Sequence, residues 1–142
     1  MTAEACPACA GTWPSAAQRV VDLPHTTAYL HEDQFFTGWT VLVLKRHATE
    51  LFHLGRDERA GVIEEVATVA RALTAAVAAV KINYALLGNQ LPHVHWHVIP
   101  RLAGDPAAGE TVWSRPHPSR VLSPEERGSL IARIQTQLSE HA

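Results

Sequence analysis

Histidines occupy every second position of the run His93-Val94-His95-Trp96-His97-Val98-Ile99. In an extended strand, side chains of one parity share a face. His93, His95 and His97 would then form a ladder of imidazoles, with Val94, Trp96 and Val98 packed into a core behind them. A helix would send His95 to roughly the opposite side, because each residue advances about 100°. The β-branched and aromatic residues between the histidines also favour a strand. Three imidazoles on one rigid strand can bind a metal, or serve as nucleophile, proton carrier and phosphate ligand. The bland alternative is a row of surface histidines over a core.

A second group of reactive side chains lies at the other end of the chain. Both cysteines fall in Cys6-Pro7-Ala8-Cys9. In a reducing compartment such a pair reads as half a metal site or a redox couple before it reads as a structural disulfide. A redox couple expects a thioredoxin-like strand before the motif and a helix opening at it. Here the motif is followed by Gly11 and Pro14, which disfavours redox chemistry.

These groups need a scaffold. Residues 1–19 are small, Ala-rich and broken by prolines, which predicts an irregular arm. Val20–Leu23 and Thr27–His31 read as short strands split by Pro24, and Thr40–Leu44 as a central strand after a turn at Thr37-Gly38. A long helix follows, with Asp57 as its expected N-cap and an apolar stripe of Val62, Val66, Val69, Leu73, Val77 and Val80. Lys81–Leu87 resumes strand character, Gly88–Pro92 makes a loop, and the histidine strand runs from His93 to about Arg101. Gly104-Asp105-Pro106 ends the sheet. Within residues 120–142 a last helix starts at Ser123, which with Glu126 fits a capping box, and Leu130, Ile131, Ile134 and Leu138 form its apolar face. The order predicts an α+β fold: a mostly antiparallel sheet of about five strands, one long helix packed on a face, and a C-terminal helix.

Composition sets the outer bounds. At 142 residues, 46% apolar and 18% charged, the chain fits one domain spanning 1–142. A formal charge of −2 predicts no electrostatic pull toward nucleic acid or an anionic membrane. No apolar run approaches the roughly 20 residues of a membrane span. Met1-Thr2-Ala3-Glu4-Ala5 lacks the basic and apolar segments of a secretory signal, so the expected location is cytoplasmic.

The histidine run resembles the signature of the histidine-triad family, His-φ-His-φ-His-φ-φ with φ apolar, and all seven positions match. The likeness continues through Pro100-Arg101, Asn83-Tyr84, Gly88-Asn89-Gln90 and Gly38–His47, and covers roughly Cys6 to Trp113. It implies that His95 attacks phosphorus to form a nucleotidyl-histidine, and that His97 touches the phosphate and helps move a proton to the leaving group. One histidine can attack only if its other nitrogen is held by an acceptor, and neighbouring donors can stabilise phosphoryl oxygens. Asn83, Asn89 and Gln90 are then candidate phosphate-pocket amides. Gln90 stands where the phosphoramidase branch carries Ser, and His31 stands where nucleoside-binding relatives carry Asp or Asn on ribose. His25, His53, His117 and His141 carry no comparable context.

Zinc-containing relatives pair two cysteines with a His after the central strand and the first triad His. The resemblance therefore implies Cys6, Cys9, His47 and His93 as ligands of a structural zinc, although Ala10-Gly11-Thr12-Trp13 departs from the family sequence after the pair. It also implies a homodimer that buries apolar residues of the long helix and adjacent strand. The expected function is a nucleotide hydrolase or nucleotidyl transferase acting on dinucleoside polyphosphates or nucleoside phosphoramidates. A non-catalytic nucleotide-binding or scaffold protein is the alternative, and a histidine-based metal enzyme a weaker third.

Overall fold

Five strands form one antiparallel sheet: β1 (Arg19–Asp22), β2 (Thr26–Leu30), β3 (Thr40–Leu44), β4 (Lys81–Ala85) and β5 (His95–Arg101), in the order β1-β2-β3-β5-β4. The structure is a computed structural model that describes residues 1–140; His141 lies outside them. Three helices complete it: α1 (Pro7–Ala10), α2 (Arg56–Val77) and α3 (Pro124–Glu140).

Every residue of β3 is buried, because this central strand is covered on both faces. Leu42 pairs with Trp96 and Thr40 with Val98 on one face, where Val62, Val66, Val69 and Leu73 of α2 join Leu42, Leu44 and Val98 in the main core. Val41 pairs with His97 and Val43 with His95 on the other. The two faces thus divide labour by residue parity: Trp96 and Val98 of β5 pack toward α2, while His95 and His97 present imidazole on the other face.

The long helix differs from its sequence reading at both ends. Its N-cap is Gly55, not Asp57; Asp57 and Glu58 lie in the first turn, where their charges complement the helix dipole. It stops at Val77 because Ala78 turns left-handed (φ 53°), so Val80 drops out of the stripe and is 69% exposed. The α3 capping box forms as its residues suggest: Glu126 N–H donates to Ser123 Oγ and Ser123 N–H to Glu126 Oε1, both at 3.1 Å. Leu130 and Ile134 then bury against the α2 side of the sheet.

Two further corrections concern the reactive ends. Residues 1–19 are not irregular throughout: Cys6 stands at the N-cap of the helical turn α1 and is fully buried, and Cys9 lies within that turn. The strand bearing the histidines begins at His95 rather than His93. Val94 is drawn off to exchange backbone bonds with Leu44 and Ala48, which leaves His93 ahead of the ladder. No helix among the described residues is long and apolar enough to cross a membrane.

Candidate functional site

His95 Nδ1 lies 2.7 Å from the backbone carbonyl of His93. A carbonyl only accepts, so Nδ1 carries the hydrogen and Nε2 keeps its lone pair. The ring lines a cavity of about 620 Å³ together with His31, His97, Trp13, Trp39, Trp113 and the Gly88–Leu91 loop. His97 is oriented by a different donor, the indole Nε1 of Trp39, which gives its hydrogen to His97 Nδ1 at 3.1 Å. The hydrogen of neutral His97 therefore sits on Nε2.

Burial, reinforced by nearby His95 and His31, pushes the His97 pKa down to about 4. Burial also lowers that of His31. In the unfolded chain an imidazole titrates near ~6.5, so between that value and about 4 the unfolded state binds the extra protons. Stability is thus full above roughly pH 6.5 and declines as pH falls toward the folded value. Thermal melts from neutral pH downward should show Tm falling across this window, with a shallower slope in His97→Asn. A Tm that stays level for the wild type would contradict the assignment.

The loop between β2 and β3 places two rings of the site. Gln34, 1% exposed, donates to the carbonyls of His31 and Trp39 and accepts from Gly38 N–H. Gly38 takes φ +89°, and a Cβ there would meet Pro100 Cγ at 3.0 Å, so the turn has room only for glycine. Closing this loop stacks His31 on Trp39 at 4.0 Å, nearly parallel. His31 Nδ1 lies 3.1 Å from the Asp33 backbone.

Asn89 and Gln90 line the same cavity, as their place before the histidines suggests. Asn83 does not. Its Oδ1 accepts from Arg101 Nη1 at 2.7 Å, and it lines a separate cavity of about 700 Å³ with Tyr84, Arg101 and Glu110. Arg101 is nearly enclosed and forms a bidentate pair with Asp105 at 2.7 and 3.0 Å, holding that carboxyl below the usual carboxylate range. Trp113 is the wall common to both cavities.

The first triad histidine faces away from this cavity, into a cluster with Cys6, Cys9 and His47 whose candidate ligand atoms all lie within 4.8 Å of one another. His93 Nδ1 is 3.4 Å from Cys6 Sγ, 3.7 Å from Cys9 Sγ and 3.3 Å from His47 Nδ1; Cys9 Sγ to His47 Nδ1 is 3.3 Å. Zinc–sulfur bonds of ~2.3 Å and zinc–nitrogen bonds of ~2.0–2.1 Å at tetrahedral angles require edges of roughly 3.3–3.8 Å. These four separations fall within that range, and the two remaining pairs, Cys6 with Cys9 and Cys6 with His47, lie within 4.8 Å. The outer nitrogens are also committed: His93 Nε2 is 2.7 Å from the Leu44 carbonyl and His47 Nε2 is 3.2 Å from that of Met1. Such outer contacts leave Nδ1 of each ring free to ligate.

Several site residues carried no motif to announce them. Trp13 presents an edge to His95 at 5.1 Å between ring centroids, and Trp113 to His97 at 5.3 Å. His117 is not isolated either: it stacks on Phe35 at 4.6 Å and lies 3.7 Å from Asp33, fastening the segment after Trp113 to the 31–39 loop. Four tryptophans in a chain with 6% aromatic residues were the available signal, since three of them stand in or beside loops.

The HIT domain family model matches residues 14–104. The chain belongs to the HIT family. Among solved structures, a histidine triad protein from Sinorhizobium meliloti is 32% identical, with a TM-score of 0.78 over 84% of this chain and 87% of that one. One from Marinobacter aquaeolei is 26% identical, TM-score 0.78, covering 89% and 93%. A zinc-bound histidine triad family protein from Mycobacterium smegmatis is 25% identical, TM-score 0.72, covering 99% and 100%. A search of curated protein sequences finds no significant match. The antiparallel sheet with one long and one C-terminal helix is thus the HIT fold, carried by a HIT chain with Trp39, Trp13 and Trp113 around its histidines.

Proposed function

We propose that this HIT protein is a nucleotide hydrolase or nucleotidyl transferase that works through a covalent nucleotidyl-His95. One observation carries the reading: the 2.7 Å contact of His95 Nδ1 with the His93 carbonyl, which directs a free Nε2 lone pair at the site. The cavity of about 620 Å³ lies within the range of roughly 300–1,000 Å³ common for small-molecule sites. Attack on the α-phosphorus forms the nitrogen–phosphorus bond and expels the leaving group. The hydrogen on His97 Nε2 donates to a phosphoryl oxygen as charge builds there. Asn89 and Gln90 add uncharged amides at the cavity wall. Water or another acceptor then takes the nucleotidyl group and His95 recovers its lone pair. Dinucleoside polyphosphates and nucleoside phosphoramidates are the substrate classes.

The test is mass spectrometry of protein mixed with a nucleotide panel and quenched at alkaline pH. A nucleoside-monophosphate adduct on the peptide bearing His95 is expected. Turnover without any adduct would refute the covalent route, and binding with neither would favour a nucleotide-binding protein.

Cys6, Cys9, His47 and His93 hold a structural zinc in this reading, supported by the tetrahedral edge lengths and by the zinc-bound M. smegmatis relative. The metal supplies no chemistry to the reaction; it fixes His93. A thiol pair of this kind also suits a reducing, cytoplasmic setting.

The protein is further proposed to be a homodimer joined along β4. That strand is an edge of the sheet, and Val80, Tyr84 and Leu87 around it are 69%, 50% and 53% exposed. Exposed apolar surface thus gathers at the strand more than on α2, where Ile63 is the large apolar side chain left exposed among the described residues. Sedimentation should give a dimer at micromolar concentration; a stable monomer would contradict it.

A further inference from the structure

Trp39 is 3% exposed and cannot easily leave His97. Its ring is stacked on His31, touched edge-on by Trp113 at 5.6 Å and by Phe36 at 6.5 Å, and its backbone carbonyl is tied to Gln34. An indole nitrogen donates and never accepts. While Trp39 Nε1–H points at His97 Nδ1, that nitrogen cannot take a proton without setting two N–H groups against each other. We propose that Trp39 is a positioning residue that holds His97 as a neutral Nε2–H donor, so that the site cleaves nucleotidyl anhydrides in preference to nucleotidyl amides of alkylamines. This inference rests on the His95 chemistry proposed above.

The surroundings of His97 agree. The titratable side chains that face it are His95 on its own strand and His31 from the end of β2. No acidic or basic side chain other than histidine lines the cavity among the described residues. Nothing there rewards an imidazolium, and burial pushes His97 down to about 4.

The consequence lies in the leaving group. In an anhydride, His95 Nε2 bonds to the α-phosphorus while the bond to the bridging oxygen breaks. The electron pair departs on that oxygen, an oxyanion stable without a proton, and the His97 N–H need only hydrogen-bond. Water then attacks the α-phosphorus, its oxygen stays there, one proton goes to solvent, and the pair in the nitrogen–phosphorus bond returns to His95. In an alkyl phosphoramidate, the electron pair would depart on nitrogen, which must receive a proton as the bond breaks. Neutral His97 can give one only by becoming imidazolate, and Trp39 cannot relay a replacement to Nδ1. The amides of Asn89 and Gln90 cannot act as acids either.

The wild-type protein gives the first readout. Nitrogen-15 NMR should show His97 in the Nε2–H form, with a scalar coupling across the Trp39 Nε1–H···Nδ1 bond. An Nδ1–H tautomer would overturn the inference whatever the activity. Two probes sharing one adenylyl group give the second: diadenosine triphosphate and an adenosine 5′-(N-alkyl)phosphoramidate. A positioned general acid contributes roughly 10²–10⁴-fold, so lacking one should leave the amidate at least ~100-fold slower in kcat/KM. In Trp39→Phe, which keeps a ring but no donor, the tautomers should mix, the His97 pKa should rise, and the gap should narrow by about tenfold or more through kcat on the amidate below neutral pH. Comparable rates on both probes through an adenylyl-His95 would overturn the anhydride preference alone. Hydrolysis of neither probe, with no adduct, would overturn it together with the His95 reading.

Discussion

His95→Ala is expected to abolish nucleotidyl transfer, by at least ~10⁴-fold, because removing a nucleophile removes the whole covalent route and not one increment of it. The loss should be almost purely catalytic. The side chain faces the cavity, touching the Trp13 edge and the His93 carbonyl. Deleting it leaves that carbonyl without its partner, a cost of about 1–3 kcal/mol, while the α2-facing core is unaffected. Turnover, adduct mass and circular dichroism measured on the same preparation separate the two effects. Wild-type turnover in His95→Ala would refute the mechanism, and a collapsed melting transition would show that the ring holds up the fold.

Metal removal should have the larger effect on stability. A site that exists only in the folded chain returns its binding free energy as folding free energy. Several kcal/mol at this chain length corresponds to a Tm loss on the order of 10 °C. Chelation should produce that loss, Cys6→Ser should reproduce it, and zinc should restore the wild type only. Activity should weaken too, through two short links. The cluster pins the segment that leads to Trp13, the wall beside His95, and it fixes His93, whose carbonyl sets the His95 tautomer. Elemental analysis of protein purified without chelator is the direct measurement. Less than about a tenth of an equivalent of zinc, with no response to added zinc, would mean that these side chains are not ligands.

The sheet was legible because its strands obey local rules. Alternation in β5 and the apolar run of β3 each state a burial pattern, and the Ser123–Glu126 pair states a helix start. What escaped was set by contacts distant in sequence. His93 fits the alternation, yet Val94 is captured by Leu44 and Ala48, which withdraws His93 from the ladder and hands it to the cysteines. Asn83 has the right residue type on the neighbouring strand, yet the Arg101 guanidinium claims its oxygen. No periodicity marks Trp39 as the partner of a residue 58 positions away. Cys6, Cys9, His47 and His93 were nameable as candidate ligands only through the family likeness; their gathering into one cluster is set by the fold.

The placement of the tryptophans makes the protein its own optical instrument. Trp13, Trp39 and Trp113 stand against His95 and His97, while Trp96, half-buried, packs against the core on the opposite face of the sheet. Indole emission depends on local polarity and on nearby quenching groups, so three of the four emitters sample the cavity and one supplies a steady background. Filling the cavity, or protonating the imidazoles beside it, must therefore alter the colour and intensity of the unlabelled protein's fluorescence. The chain can be titrated with light alone.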